Sequence, residues 1–172
     1  MDLQVFDNKI PFTVREKLLD YCTRSNFSLG WSDRPPIEND KAIPNIHSSW
    51  TINNLNESKI LPYIIECMDE TSFFTCGNIE SIILNLIRPS DVHFIHSHPN
   101  KQVALYYCNL NWEDGWYGET MFYDPNDLEK VSYTSLYKPG RIILFDGSIP
   151  HAIRPQSIRG PKYRISLTLI FR

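Results

Sequence analysis

The sequence predicts a mainly β fold of the sandwich or jelly-roll kind, an α+β chain with its helices confined to the N-terminal part. Three observations carry this. After Thr71 the text breaks into consecutive short β-rich runs, turn signals separate them, and the segments with helical spacing all lie before that point. Strands that follow one another without intervening helices indicate packed antiparallel sheets rather than alternating β-α units.

Taken in order, Leu3 to Phe6 reads as a short strand. Thr13 to Cys22 reads as a helix, with Thr13 as N-cap and Glu16 three residues on completing a capping box. Asn26 to Asn54 is rich in Pro, Asn, Asp and Ser and reads mostly as loop, a candidate substrate lid. Ser58 precedes a second helix over Lys59 to Met68, whose Ile60, Leu61, Ile64, Ile65 and Met68 recur at helical spacing.

Eight strands are then expected: Ile79 to Arg88, Val92 to His98, Gln102 to Leu110, Glu119 to Tyr123, Val131 to Tyr137, Arg141 to Phe145, His151 to Arg154 and Tyr163 to Phe171. Pro99-Asn100, Asp114-Gly115, Pro125-Asn126-Asp127 and Pro139-Gly140 divide them as turns. At 172 residues and 42% hydrophobic content the chain suits one core, and a single domain over 1–172 is expected.

Composition narrows the function. No run approaches the roughly 18 apolar residues of a membrane span, and the Met1-Asp2-Leu3 start lacks a signal peptide's features, so a cytoplasmic protein without a membrane partner is expected. A net charge of −3 argues against nucleic acid as a partner. Cys22, Cys67, Cys76 and Cys108 form no CxxC pair and read as reduced, mostly buried thiols. From Lys138 to Arg172 seven Lys or Arg face one acid, Asp146. That excess is either a solvated basic face or a place for an anion.

Three of the five histidines crowd into His93, His96 and His98. On a strand, side chains alternate faces, so His96 and His98 share one side and His93 takes the other. A third ligand must come from elsewhere, and His151, after Ile149-Pro150, is the natural candidate. Imidazoles suit Fe, Zn, Cu or Ni, and a zinc hydrolase with three His and a bound water would use the same set. The bland alternative is three packed or surface histidines.

Further motifs follow in order: His96-Ser-His98, Tyr106-Tyr-Cys-Asn109, Trp112, Gly118-Glu-Thr120, Pro139-Gly-Arg141, Ile142-Ile-Leu-Phe145, His151 and Arg164-Ile-Ser166. In this register the chain, from about Ile79 onward, resembles the 2-oxoglutarate/Fe(II)-dependent oxygenases of the prolyl 4-hydroxylase-like family, including small phage and marine microbial members. The resemblance implies a double-stranded β-helix (jelly roll, cupin-like) with a core over about 79–172 and N-terminal supporting helices. It implies an Fe(II) dioxygenase that uses 2-oxoglutarate and O2, with ascorbate as an optional further cofactor, and releases succinate and CO2. The expected substrate is a protein or peptide, prolyl first, with a small molecule as the alternative.

By that resemblance His96 and His151 ligate iron, Arg164 and Tyr107 hold the distal carboxylate of 2-oxoglutarate, and Ser166 assists. The family has Asp where this chain has His98, so the third ligand is expected to be an imidazole, leaving the metal site one charge more positive. Glu119 is the nearest alternative carboxylate and is read as structural. Trp112, Trp116 and Tyr117 are expected to pack the sandwich or line the pocket. A three-His enzyme that does not use 2-oxoglutarate, and a non-catalytic jelly-roll binding module, remain the other readings.

Overall fold

The computed structural model describes residues 1–31, 45–75, 77–89, 91 and 93–172. Chain order is β1 (Leu3–Phe6), α1 (Phe12–Thr23), β2 (Ser28–Trp31), β3 (Asn45–Trp50), α2 (Ile52–Glu57), α3 (Leu61–Asp69) and β4 (Ile79–Ile87). It continues through β5 (Gln102–Tyr107), β6 (Thr120–Asp124), β7 (Asp127–Ser135), β8 (Ile142–Asp146), β9 (His151–Ile153) and β10 (Arg164–Phe171). A seven-stranded sheet in the order β1-β8-β5-β10-β4-β3-β2 faces a three-stranded sheet, β7-β6-β9, and all pairings are antiparallel. This is the jelly-roll arrangement.

The two-residue period of the strands sorts side chains between two layers. On β10, Ile165, Leu167, Leu169 and Phe171 pack with Leu18 and Cys22 of α1, Leu55 of α2 and Ile64, Cys67 and Met68 of α3. Tyr106 of β5 and Ile142 and Leu144 of β8 join that layer. The other face of the same strands carries Val103, Leu105, Tyr107, Ile143 and Phe145 against Phe122, Tyr137 and Ile149. The large sheet is therefore covered on both sides, which explains why β5 reads as a continuous apolar run.

Where helices and strands depart from the expected pattern, local chemistry explains the shift. Pro11 caps α1 with no side-chain hydrogen bond, so the expected capping box at Thr13 and Glu16 does not form. A capping box opens α2 instead, between Thr51 and Asn54, inside the stretch expected to be mostly loop. Lys59 takes a left-handed φ of 62° that separates α2 from α3, so the second helix begins at Leu61, with Pro62 in its first turn. The expected loop over 26–54 also contributes β2 and β3, which extend the large sheet through β4; residues 32–44 lie outside the described part.

The expected strand Val92 to His98 is absent from the described residues: only His96 makes a bridge, to His151. Pro89 precedes the segment, and the buried Asp91 carboxylate turns the chain back by accepting from the Arg88 backbone N–H at 2.8 Å and from its Nε at 3.0 Å. Side-chain hydrogen bonds here replace a ladder. Cys22, Cys67 and Cys108 are buried free thiols, as expected, and Cys76 lies outside the described residues. Among the described residues no helix is long and apolar enough to cross a membrane.

Part of the C-terminal basic excess is used to fasten β1. Arg141 grips Asp7 with Nε and Nη2, both at 2.9 Å, and Lys138 Nζ adds a contact at 2.9 Å. The Arg141 hydrogen bonds, reinforced by Lys138, pull the Asp7 carboxyl down to about 2 from 3.8. A depressed folded-state value gives stability that is present above the unfolded value and lost as pH falls through the folded one. Asp7→Asn is expected to cost about 1–2 kcal/mol at pH 7, after allowance for partial exposure. In urea titrations its stability curve should converge on the wild-type curve between pH 4 and 2.

Candidate metal centre

Residues from two separate stretches meet where the segment around His96 bridges to the start of β9. The His96 and His151 backbones bond reciprocally, His96 N–H to His151 O at 3.1 Å and His151 N–H to His96 O at 2.9 Å. His98 is held by its own N–H, which donates to Gly147 O at 2.6 Å. The ring centroids of His96 and His151 lie 4.4 Å apart, with His98 at 5.2 Å and 5.4 Å from them. One nitrogen from each ring lies within 4.8 Å of the others, and among the described residues no carboxylate joins them.

The tautomers favour coordination. His96 Nδ1 contacts Phe94 O at 3.1 Å and His151 Nδ1 contacts Ile149 O at 2.9 Å. A carbonyl only accepts, so in both rings Nδ1 carries the proton and Nε2 carries the lone pair, the usual preparation of a metal-binding imidazole. Metal–nitrogen bonds of about 2.1 Å bring donor atoms to roughly 4 Å or less. Ring rotation closes the remaining gap, so the residues fit a divalent transition metal.

A turn sets the position of His98. Lys101 N–H closes onto His98 O at 3.2 Å, and Asn100 takes a left-handed φ of 60° after Pro99, as a type II turn requires. Gly147 lies against this turn: a Cβ there would stand 2.5 Å from His98 O and 2.9 Å from Lys101 O. The neighbours are backbone and cannot swing aside. Gly147→Ala is therefore expected to displace His98 and weaken metal binding by about ten- to a hundredfold, the size of effect seen when a ligand's support is lost. Metal titration followed by calorimetry checks it.

The cleft behind the cluster is walled by the inner faces of β4, β5 and β10. Asn85, Thr120, Ser166 and Thr168 are its neutral polar residues, besides the histidines. His93 lines it too, together with His96 and His98. The expectation that His93 faces away fails because no strand alternation operates in this segment, although His93 stays outside the ligand cluster.

Arg164, at the start of β10, is completely buried. Nε donates to Gly118 O at 2.8 Å, Nη1 to Ser166 Oγ at 3.1 Å and Nη2 to Thr120 Oγ1 at 3.3 Å. Its guanidinium carbon lies 5.0 Å from the Tyr107 ring centroid and 4.8 Å from that of Tyr137. Tyr107 Oη donates to the same Thr120 Oγ1 at 2.7 Å. Burial pushes the Tyr137 phenol well above its usual range, so it is neutral. Every partner of Arg164 among the described residues is thus uncharged. A buried cation with no counter-ion is costly, and such a site favours an incoming anion.

Gly118 makes this possible. Its φ of +80° suits glycine, and a Cβ would stand 3.1 Å from Trp112 and 3.3 Å from Arg164. Trp112 packs at 4.1 Å on Tyr137 and donates its indole N–H to Tyr117 O at 2.9 Å; Trp116 packs on Trp112. Glu119 sits outside the histidine cluster, 3.6 Å from Arg154. Thr120, Tyr137, Asn85 and Gly147 were not singled out by sequence, although Thr120 lies in the Gly118-Glu-Thr120 motif and Asn85 interrupts the apolar face of β4.

No protein-family model matches the chain, and no curated protein matches its sequence. Solved structures do match its shape. The chain is similar to a prolyl-4-hydroxylase from Pseudomonas putida at 15% identity, over 99% of this chain and 92% of that one, with a TM-score of 0.72. It is similar to a prolyl hydroxylase from Trichoplax adhaerens, solved with a hypoxia inducible factor peptide fragment, at 16% identity, 99% and 83% coverage and a TM-score of 0.67. A non-heme alpha-ketoglutarate-dependent epimerase from nogalamycin biosynthesis matches at 8% identity, 99% and 78% coverage and a TM-score of 0.72.

The fold is the double-stranded β-helix of the 2-oxoglutarate Fe(II) oxygenases. Within that fold the prolyl 4-hydroxylases are prominent among its structural neighbours.

Proposed function

We propose that the protein is an Fe(II)- and 2-oxoglutarate-dependent oxygenase, 1–172 forming one oxygenase domain, that hydroxylates a C–H bond of a peptidyl substrate, prolyl being the leading class. The observation that carries this reading is the pairing of the three-imidazole cluster with Arg164, a wholly buried guanidinium whose described partners are all neutral.

His96, His98 and His151 would hold iron. Arg164 would meet the distal carboxylate of 2-oxoglutarate, with Thr120, Ser166 and Tyr107 orienting it. Iron and 2-oxoglutarate supply the oxidising chemistry with O2, giving succinate and CO2 beside the hydroxylated product. The chain's own work is positional. Gly118 O and the hydroxyls of Ser166 and Thr120 fix the guanidinium plane before the ligand arrives, which reduces the ordering cost of binding. Ile83 and Ile87 of β4, Leu105 of β5 and Phe145 of β8 give the cleft beside the cluster an apolar lining.

The test is anaerobic titration with Fe(II) and 2-oxoglutarate, then succinate release under O2 with proline-containing peptides. Iron-dependent 2-oxoglutarate binding and turnover are expected; well-folded protein that shows neither would overturn the reading. One observation favours a second reading: His98 in place of a carboxylate also suits a three-His dioxygenase that uses no 2-oxoglutarate. That reading leaves Arg164 without a role and predicts turnover independent of 2-oxoglutarate.

A further inference from the structure

We infer that this centre selects divalent metals that prefer nitrogen ligands and rejects Mn(II) and Mg(II), that His98 sets this selectivity, and that Zn(II) is the ion that competes with iron for it. The inference rests on the metal-centre part of the reading above and is independent of 2-oxoglutarate. It starts from the charges around the ligands. His96, His98 and His151 offer one atom each, and among the described residues no carboxylate joins them. The groups behind two of the rings are neutral carbonyls, Phe94 O at His96 and Ile149 O at His151.

The acidic side chains of the neighbouring segments have other roles. Asp91 is buried against Arg88, whose Nη2 lies 2.8 Å from its Oδ1. Glu119 lies beside Arg154. Asp146 Oδ1 accepts the Ser148 N–H at 2.8 Å, and Asp146 lines a separate pocket with Asn100 and Lys101. Among the described residues no Asp or Glu lines the cleft beside the histidines. No carboxylate there supplies the charge that His98 leaves out.

Mg(II) and Mn(II) are held by oxygen ligands, and Mg(II) gives up its water reluctantly. At this centre either ion would exchange water for three neutral nitrogens. Fe(II), Ni(II), Cu(II) and Zn(II) bind imidazole well, and Zn(II) stands above Fe(II) in the general order of affinity. Zn(II) also accepts three His and one further ligand in a tetrahedron, and it has no redox chemistry. Zinc-loaded protein is then complete at this centre and inert as an oxygenase.

The experiment titrates metal-free wild type and His98→Asp with Zn(II), Mn(II), Mg(II) and, under argon, Fe(II), by calorimetry and by competition with a chromophoric chelator. Wild type is expected to bind Zn(II) more tightly than Fe(II), and Mn(II) at least about a hundredfold more weakly than Fe(II), with Mg(II) weaker still. His98→Asp places an oxygen donor in the same corner. Its Mn(II) affinity should gain at least about tenfold more than its Zn(II) affinity does.

Wild type that binds Mn(II) within about tenfold of Fe(II) overturns the inference, whatever the variant does. So does an equal gain for Mn(II) and Zn(II) in a folded His98→Asp, or Fe(II) that displaces bound Zn(II) at equal concentration. Wild type that binds none of the four ions overturns instead the metal-centre assignment on which the inference stands.

Discussion

Arg164→Met is expected to abolish measurable 2-oxoglutarate binding while leaving the protein folded. The guanidinium is completely buried and would form a charge-assisted, fork-shaped contact with a carboxylate. Truncating one partner of a buried charge pair costs about 2–5 kcal/mol, or roughly thirtyfold to several thousandfold in affinity. Stability distinguishes a binding residue from a structural one. An arginine that held the sheets together would lower the melting temperature when removed. An arginine kept for a ligand is a buried cation lacking a counter-ion, and methionine of similar volume relieves that cost.

The unliganded variant should therefore melt within a few degrees of wild type, or above it. The stabilisation that 2-oxoglutarate gives wild type should vanish. Thermal melts with and without 2-oxoglutarate, in the presence of Fe(II), read both effects. A variant that melts far below wild type yet still gains stability from 2-oxoglutarate would contradict the assignment.

How far the sequence foretells this site depends on which forces place each residue. Arg164 and Ser166 lie on a strand whose alternation is strict, so their shared face is legible from spacing, as is the burial of Leu167 and Leu169 on the other side. Pro99-Asn100 and Pro139-Gly140 form the turns their residue types demand, with Asn100 and Gly140 at positive φ. His93 is the counter-example. Alternation placed it opposite His96, but Asp91 diverts the backbone before it, and a side-chain hydrogen bond of that kind leaves no periodic trace.

The same holds for β3, whose Asn45–Trp50 text is polar because its strand is completed by β4 rather than by its own apolar pattern. Gly147 shows a different limit. Nothing in Asp146-Gly147-Ser148 distinguishes a required glycine from a turn glycine until the chain from His98 to Lys101 is laid against it.

His98 offers the other large effect, and its sign is set by charge. His96→Ala or His151→Ala should weaken Fe(II) binding by on the order of a hundredfold or more, since metal sites draw about 3 kcal/mol from each ligand. His98→Asp should behave differently, because it creates the two-His, one-carboxylate set that non-haem Fe(II) oxygenases commonly use. The backbone there is fixed by Gly147 O and by the Pro99-Asn100 turn, so the carboxylate enters the same corner of the cluster.

A carboxylate adds attraction for the cation, and Fe(II) should be held at least as tightly as in wild type. The 2-oxoglutarate dianion should respond in the opposite direction. It would meet a centre one charge less positive, a few ångströms away, where unit charges still interact by a few kcal/mol at an effective dielectric near 20. Its affinity should fall at least tenfold, even though Arg164, Ser166 and Thr120 are unchanged. Parallel titrations of Fe(II), and of 2-oxoglutarate at saturating Fe(II), separate the two effects. Equal or tighter 2-oxoglutarate binding in His98→Asp would mean that His98 does not face the metal, and that the positive character of this centre comes from elsewhere.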